Sequence, residues 1–203
     1  SQAAGLKVCG VVNGLEGFES SHLRETLPNF EDMVCRKANG EPARAGEDML
    51  LMCVNNPDWV RWEIETGKRA IDLGADLILL DTPMAASFVS GFLGAGFCST
   101  CMANFEQYLR DKYDGPQLRE KFGIDAFDRD DVVRRLSAFQ KVTPMDQSAF
   151  VQTTKDARLF QEFIRCQEES GFQTRSQLVD ALRKYAAASG RKVAFTTNGA
   201  DLG

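Results

Sequence analysis

Apolar residues along the chain fall into short continuous runs and into longer stretches with helical spacing. Four stretches are predicted as β-strands, and they cover residues 6–12, 49–54, 77–80 and 191–197; those at 49–54 and 77–80 are continuous apolar runs. Between the second and third stretches, Asn56 is a favourable N-cap, Pro57 suits the first helical position and Gly74 is typical of a helix end. The sequence therefore predicts a strand–helix–strand unit over 49–80, with its two strands parallel.

Helical spacing recurs in the second half of the chain, and a hairpin turn is predicted in the first half. The predicted helices cover residues 102–113, 116–122, 130–139, 147–169 and 176–189. Asn39-Gly40 is typical of a tight hairpin turn. The predicted order is therefore strand, loop, strand, helix, strand, several helices and a last strand.

This order predicts the fold class. Four parallel strands make half of an eight-stranded barrel, a fold that usually takes roughly 250 residues. An open doubly wound sheet would require a glycine-rich phosphate loop such as G-x-G-x-x-G, and the sequence has none. We therefore expect an α/β fold of the (β/α)8 TIM-barrel type, with about half of the barrel present and a helix-rich insertion after the third visible strand. Residues 1–203 are expected to form a single catalytic domain that is a fragment of a longer chain.

A polar cluster follows each predicted strand. These clusters contain Asn13 and Glu16, Asn55 and Asn56, Asp81, and Asn198 and Asp201. In parallel α/β folds the functional residues lie at the carboxyl ends of the strands. We therefore expect Asn55, Asp81 and Asn198 to point into one shared cleft.

Charge and hydropathy narrow the choice of partner and location. A net charge of −5 without a long basic cluster argues against nucleic acid. No apolar run reaches the length of a membrane span and no signal peptide opens the sequence, so we expect a cytoplasmic protein that does not bind membranes. The sequence leaves open whether the chain forms a homo-oligomer.

Six cysteines are present, and only Cys98 and Cys101 lie close together in the sequence. Such a C-x-x-C pair is found in zinc sites, in redox pairs and as unlinked thiols. A tetrahedral zinc site needs four ligands, and the single histidine is His22. We therefore expect reduced thiols, no metal and no cofactor, with zinc and a disulfide as the less favoured alternatives.

Two stretches carry a resemblance to a known superfamily. They are CVNNPDWVRWEIETGKRAIDLGADLILLDTP at 53–83 and GFCSTCMANFEQYLRDKY at 96–113. They resemble glycosidase-like TIM-barrel proteins of uncharacterised families related to the family 42 β-galactosidases. In those families a strand ends in C-P-N-N-P-x-W, a helix and G-A-D-G-I-x-x-D follow, and C-x-C-x-x-C-x-x-x-F-x-x-Y-L-x-x-x-Y comes later. The resemblance covers residues 5–115.

The resemblance implies a glycoside hydrolase that acts on a carbohydrate. Asp81 is similar to the strand-four aspartate that serves as nucleophile in several retaining α-glycosidase families. Glycoside hydrolysis needs a second carboxyl group, for which the candidates are Glu16, Asp201 or a residue beyond Gly203, although Glu16 is also typical of a solvated loop residue. Asparagine amides both donate and accept hydrogen bonds, so they suit sugar hydroxyls. The candidate substrate ligands are therefore Asn13, Asn55, Asn56, Asn198 and Asp201.

Other interpretations of these residues stay open. The chain lacks the Asn-Glu pair of family 42 enzymes, which favours a noncatalytic carbohydrate-binding or regulatory domain on a degenerate glycosidase barrel. Asp81 alternatively caps a turn through Thr82-Pro83, as aspartate commonly does. A sugar isomerase or aldolase is disfavoured, because the sequence has one histidine and no lysine at a predicted strand end.

Overall fold

The structure is a computed structural model that describes residues 5–13, 16–18, 23–81, 94–139 and 153–197. Its strands are β1 (Cys9–Asn13), β2 (Glu16–Phe18), β3 (Arg44–Gly46), β4 (Met49–Leu51), β5 (Leu77–Asp81) and β6 (Ala194–Thr197). Its helices are α1 (Leu23–Thr26), α2 (Phe30–Met33), α3 (Pro57–Asp72), α4 (Ser99–Lys112), α5 (Gly115–Phe122), α6 (Arg129–Ser137) and α7 (Lys155–Ala188).

A parallel sheet is formed by β1, β5 and β6, with β5 in the centre. Apolar side chains of this sheet, among them Val12, Ile78 and Leu80, pack against Ile71 of α3 and Leu182 of α7. Three of the four predicted strands are therefore parallel and lie side by side. Helices α3 and α7 cover the apolar face that these strands share.

A second sheet is antiparallel and contains β2, β4 and β3 in that order. The prediction of four parallel strands, and with it half of a TIM barrel, is therefore wrong. The run at 49–54 is largely buried, and a continuous apolar run does not distinguish a parallel strand from an antiparallel one. A turn at Glu47-Asp48 joins β3 to β4 and makes them antiparallel, while the turn at Asn39-Gly40 pairs residues 35–37 with residues 41–43. The described chain is a small α/β domain with two three-stranded sheets.

Helix α3 begins and ends where the local signals place it. The Asn56 side chain accepts hydrogen bonds from the backbone N–H groups of Asp58 (2.9 Å) and Trp59 (3.3 Å), and Pro57 occupies the first turn. The helix ends shortly before Gly74, whose φ of 100° is a conformation that favours glycine. The predicted cap, start and end of this helix are confirmed.

Helix α7 is one continuous helix of 34 residues, whereas the sequence predicts two helices at 147–169 and 176–189. Ser170, Gly171 and Thr174 are weak helix formers and weaken the helical pattern between them. Gly171 is nevertheless buried within α7, and Leu182 packs directly on Gly67 of α3. Tertiary packing of the apolar side of α7 therefore outweighs these local preferences.

A second core lies among α4, α5, α6 and α7. Phe105 and Phe163 are fully buried there, with ring centroids 5.2 Å apart. Helix α7 contributes to this core and to the core under the parallel sheet, so it connects the two. In the described part of the chain, no helix is both long and apolar enough to cross a membrane.

Candidate metal centre and strand-end residues

Four cysteines from three separate segments meet beside the second sheet. We name this group the cysteine cluster, and its members are Cys35, Cys53, Cys98 and Cys101. The Cys35 N–H donates to the carbonyl of Leu51 (2.8 Å), which places this residue beside the end of β4. Cys98 is the N-cap residue of α4, and Cys101 lies in its first turn. The Phe97 N–H donates to the carbonyl of Arg36 (3.0 Å) and thereby holds the start of α4 next to Cys35.

Three sulfur atoms of the cysteine cluster are in contact. The Sγ of Cys53 lies 3.4 Å from that of Cys98 and 3.5 Å from that of Cys101, and all three sulfurs lie within 4.8 Å of one another. A disulfide bond would bring two sulfurs to about 2.05 Å, so these are free thiols. Sulfurs bound to one zinc ion at about 2.3 Å are roughly 3.8 Å apart in a tetrahedral site. The observed separations are therefore close to those of a zinc thiolate site.

Cys35 supplies the fourth thiol. It packs in the same buried cluster, it influences the pKa values of Cys53 and Cys98, and it is 4% exposed. The apolar residues packed around the four cysteines are Ala43, Leu51, Val54 and Ala95. The cysteine cluster is therefore closed to solvent.

The electrostatics of the cysteine cluster favour one negative charge, at Cys98. The neighbouring thiols of Cys101, Cys35 and Cys53 hold the pKa of Cys98 far below its ordinary value. Hydrogen bonding with Cys53 and Cys98, followed by burial, raises the pKa of Cys101 well above its ordinary value. Cys98 also lies at the positive end of the α4 dipole, which stabilises a thiolate. A bound cation would allow the remaining thiols to ionise as well.

The sequence predicts no metal because too few ligands lie near Cys98 and Cys101. The cysteine cluster supplies the missing ligands, so this reason no longer holds. Cys53 lies 45 residues before Cys98, so the sequence gives no local signal of their contact. The contact depends on the antiparallel pairing around β4, which an apolar run at 49–54 does not reveal. The available signal is that Cys35 precedes the predicted hairpin turn and Cys53 lies near the end of the next predicted strand.

Asn55 and Asn56, two of the predicted substrate ligands, have contacts inside the protein. The Asn55 side chain is half-buried, with its Nδ2 3.7 Å from the Sγ of Cys101. Asn56 caps α3, and its Nδ2 donates to the carbonyl of Asp32 (3.0 Å). The strand that precedes both asparagines, β4, is not part of the parallel sheet. The expectation that Asn55 and Asp81 end neighbouring parallel strands is therefore wrong.

Asn13 and Asp81 are the predicted site residues that the structure brings together. They lie opposite each other at the carboxyl ends of β1 and β5, and both are half-buried. Glu16 lies in β2, a strand of the other sheet. Asn198 and Asp201 lie outside the described residues. A carboxylate and an amide thus share one end of the parallel sheet.

Comparison with known proteins leaves the site to be interpreted from its own chemistry. No family model matches the chain, and no curated protein matches it. The cysteine cluster and the Asn13–Asp81 pair are therefore the two features on which a function can be argued.

Proposed function

We propose that the chain binds one zinc ion through the thiolates of Cys35, Cys53, Cys98 and Cys101. The observation that supports this proposal is the contact between buried sulfurs at 3.4 and 3.5 Å. Buried polar groups are normally paired, and a shared cation pairs four clustered sulfurs at once. Soft thiolate ligands favour zinc, which takes four sulfurs in tetrahedral geometry and has no redox chemistry of its own.

The role we infer for this zinc is structural. Four protein ligands leave no open position for water or substrate, which is the arrangement of structural rather than catalytic zinc sites. The ligands come from the Cys35 segment, from the segment after β4 and from the start of α4. The metal would therefore fix the second sheet to the helical core that contains α4.

Metal analysis of the purified protein tests this proposal. We expect one zinc per chain after dialysis, and loss of that zinc in Cys53→Ser and in Cys98→Ser. Cys9→Ser and Cys166→Ser are matched controls, because Cys9 is exposed and Cys166 lies in the core around Phe163. Both controls should keep the full zinc content.

Substitution with Co²⁺ identifies the ligands. Cobalt bound by four thiolates gives intense sulfur-to-metal charge transfer and tetrahedral ligand-field bands. We expect Cys35→Ser to weaken the charge-transfer band, since one sulfur is lost. A wild-type protein that takes up neither zinc nor cobalt, or a Cys35→Ser protein with an unchanged spectrum, would contradict the four-thiolate site.

A second candidate function is the hydrolysis of a glycosidic bond by the strand-end residues. Asn13 and Asp81 support it, because functional groups of parallel α/β folds lie at the carboxyl ends of the strands. The resemblance of 53–83 and 96–113 to glycosidase-like proteins supports the same chemistry. Asp81 would act as nucleophile or as the charge that stabilises an oxocarbenium-like transition state, and the substrate would be a carbohydrate.

Asp81→Asn tests the second candidate, because asparagine keeps the shape of the side chain and removes its charge. Against a panel of aryl glycosides we expect kcat/KM to fall by several orders of magnitude, with little change in the melting temperature. Asp111→Asn on the exposed surface of α4 is the matched control. Full activity of Asp81→Asn would contradict a catalytic role. A wild type that binds sugars of the panel without turnover would favour the noncatalytic carbohydrate-binding alternative.

A further inference from the structure

Asn55 lies between the cysteine cluster and helix α7. Its Nδ2 is 3.7 Å from the Sγ of Cys101 and 3.4 Å from the Oε1 of Gln167. Its Oδ1 is 3.5 Å from the Oγ1 of Thr174. Asn55 thus contacts a proposed zinc ligand on one side and two side chains of α7 on the other.

The orientation of the Asn55 amide suits the Cys101 sulfur in its negatively charged, metal-bound form. The Nδ2 group has two N–H donors, and its two neighbours here are the Cys101 sulfur and the Gln167 oxygen. A thiolate can only accept hydrogen bonds, so it requires a donor in this position. A neutral thiol would bond equally well to an amide oxygen, because its S–H can donate.

The state of Gln167 supports the same interpretation. Its Nε2 is buried and has no hydrogen-bond partner within the described residues, although Gln167 is only 1% exposed. If the side-chain amides of Asn55 and Gln167 were both rotated by 180°, the Gln167 nitrogen would donate to the Asn55 oxygen. The same change would place that oxygen against the Cys101 sulfur, which a thiolate repels. The observed orientation leaves the Gln167 nitrogen as a buried donor without a partner in the described part of the chain, which is unfavourable by itself. It is the better orientation only when the Cys101 sulfur is charged, because the alternative would place the Asn55 oxygen against that charge.

We propose that Asn55 is a positioning residue of the metal centre, which donates a side-chain hydrogen bond to the metal-bound thiolate of Cys101 and fixes it relative to α7. This inference rests on the proposed zinc centre. Hydrogen bonds to metal ligands from the surrounding residues typically change metal affinity by about 10–100-fold. The donor also withdraws charge from the sulfur, which makes the bond visible in the spectrum of a bound metal.

Asn55→Leu tests the hydrogen bond, because leucine has nearly the shape of asparagine and no donor. In competition with a chromogenic chelator, we expect the zinc dissociation constant to rise by about 10–100-fold. In the Co²⁺ form, we expect the charge-transfer band to move to longer wavelength, since loss of the donor raises the energy of the sulfur lone pairs. Gln107→Leu is the matched control, because Gln107 is exposed on α4 and bonds to Asp111 (2.7 Å). It should change neither quantity.

Asn55→Asp separates the hydrogen bond from packing. A carboxylate at this position has no donor and repels the thiolate, so it should weaken zinc binding more than leucine does. An Asn55→Leu protein that folds and keeps both the wild-type zinc affinity and the wild-type cobalt spectrum would overturn the proposal.

A measurement on the wild-type protein gives the answer if these variants do not fold. In protein loaded with a magnetically active cadmium isotope, an N–H···S bond transmits a scalar coupling between cadmium and the Asn55 amide proton. Detection of this coupling supports the proposal, and its absence with cadmium bound at the four cysteines overturns it. A wild type that binds no metal at the cysteines overturns the zinc centre instead, so the two failures are distinguishable.

Discussion

Glu63 carries a carboxylate into the packed interface between α3 and α7. The residue is fully buried, and its oxygens accept hydrogen bonds from Arg175 Nη1 (2.6 Å) and Nη2 (3.1 Å). Burial raises the pKa of Glu63 to about 7, and the attraction of the Arg175 guanidinium offsets this effect only in part. The pair therefore joins two helices through a carboxylate that takes up a proton near neutral pH.

We expect Glu63 to make the fold less stable as the pH rises. It titrates near 4.5 in the unfolded chain and at about 7 in the fold, so the folded state holds an extra proton between these values. Protonation of Glu63 contributes about 3 kcal/mol to the free energy of unfolding. This contribution is complete below about pH 4.5 and is lost as the pH rises through about 7. Urea unfolding at about pH 5 and about pH 8 measures it, and Glu63→Gln should remove most of the difference.

The control for this prediction is Glu65→Gln on the same helix. Glu65 is exposed and pairs with Lys68 (2.7 Å) in solvent, where an ion pair contributes little to stability. Its variant should retain the pH dependence of the wild type. If Glu63→Gln retained that dependence as well, the titrating group would have to be another residue.

The sequence predicts the roles of residues that depend on their neighbours along the chain. Asn56 is recognisable as a cap because Pro57 and an amphipathic helix follow it directly, and the structure confirms this role. Asn55 is the same residue type one position earlier, but its contact with Cys101 spans 46 residues. Local pattern carries no information on such a contact. The cysteine cluster escapes prediction for the same reason, because it depends on strand pairing.

At the scale of elements, β1 packs on α3 through Gly10. A Cβ atom at Gly10 would lie 2.8 Å from the Cβ of Ala70, which is attached to the helix backbone and cannot turn away. We therefore expect Gly10→Ala to lower the free energy of unfolding by about 1–3 kcal/mol in urea denaturation. Gly46→Ala is the control, since its Cβ would lie 3.8 Å from Met49, and we expect a change of about 0.5 kcal/mol or less. Equal stabilities of the two variants would mean that β1 and α3 separate easily.

The helices are predicted better than the sheets, for a physical reason. Helix signals such as the cap at Asn56, the proline at Pro57 and the glycine at Gly74 lie within a few residues of the helix ends that they determine. Strand pairing depends on distant segments, so an apolar run at 49–54 is recognised as a strand while its partners and their direction are not. The continuity of α7 likewise depends on packing against α3 and α4 rather than on its own sequence.

At the scale of the whole molecule, helix α7 and the cysteine cluster hold the described elements together. Helix α7 packs on the parallel sheet and in the core around Phe163, so it connects one half of the fold to the other. The cysteine cluster joins the second sheet to the start of α4. Loss of the proposed zinc should therefore loosen the second sheet and leave the parallel sheet with α7 in place.

Removal of zinc by a strong chelator tests this division. A ligand present at about 1,000 times its dissociation constant stabilises a fold by about 4 kcal/mol. For a domain of this size we therefore expect the melting temperature to fall by about 8–16 °C. Amide exchange should accelerate in residues 33–54 and 95–102, because those backbone segments carry the four ligands, while residues 159–186 of α7 stay protected. Cys53→Ser should already melt at the lower temperature and show no further response to the chelator, whereas Cys9→Ser should respond like the wild type. Uniform loss of protection along the chain would instead mean that the zinc supports the whole fold, as in small domains that unfold without their metal.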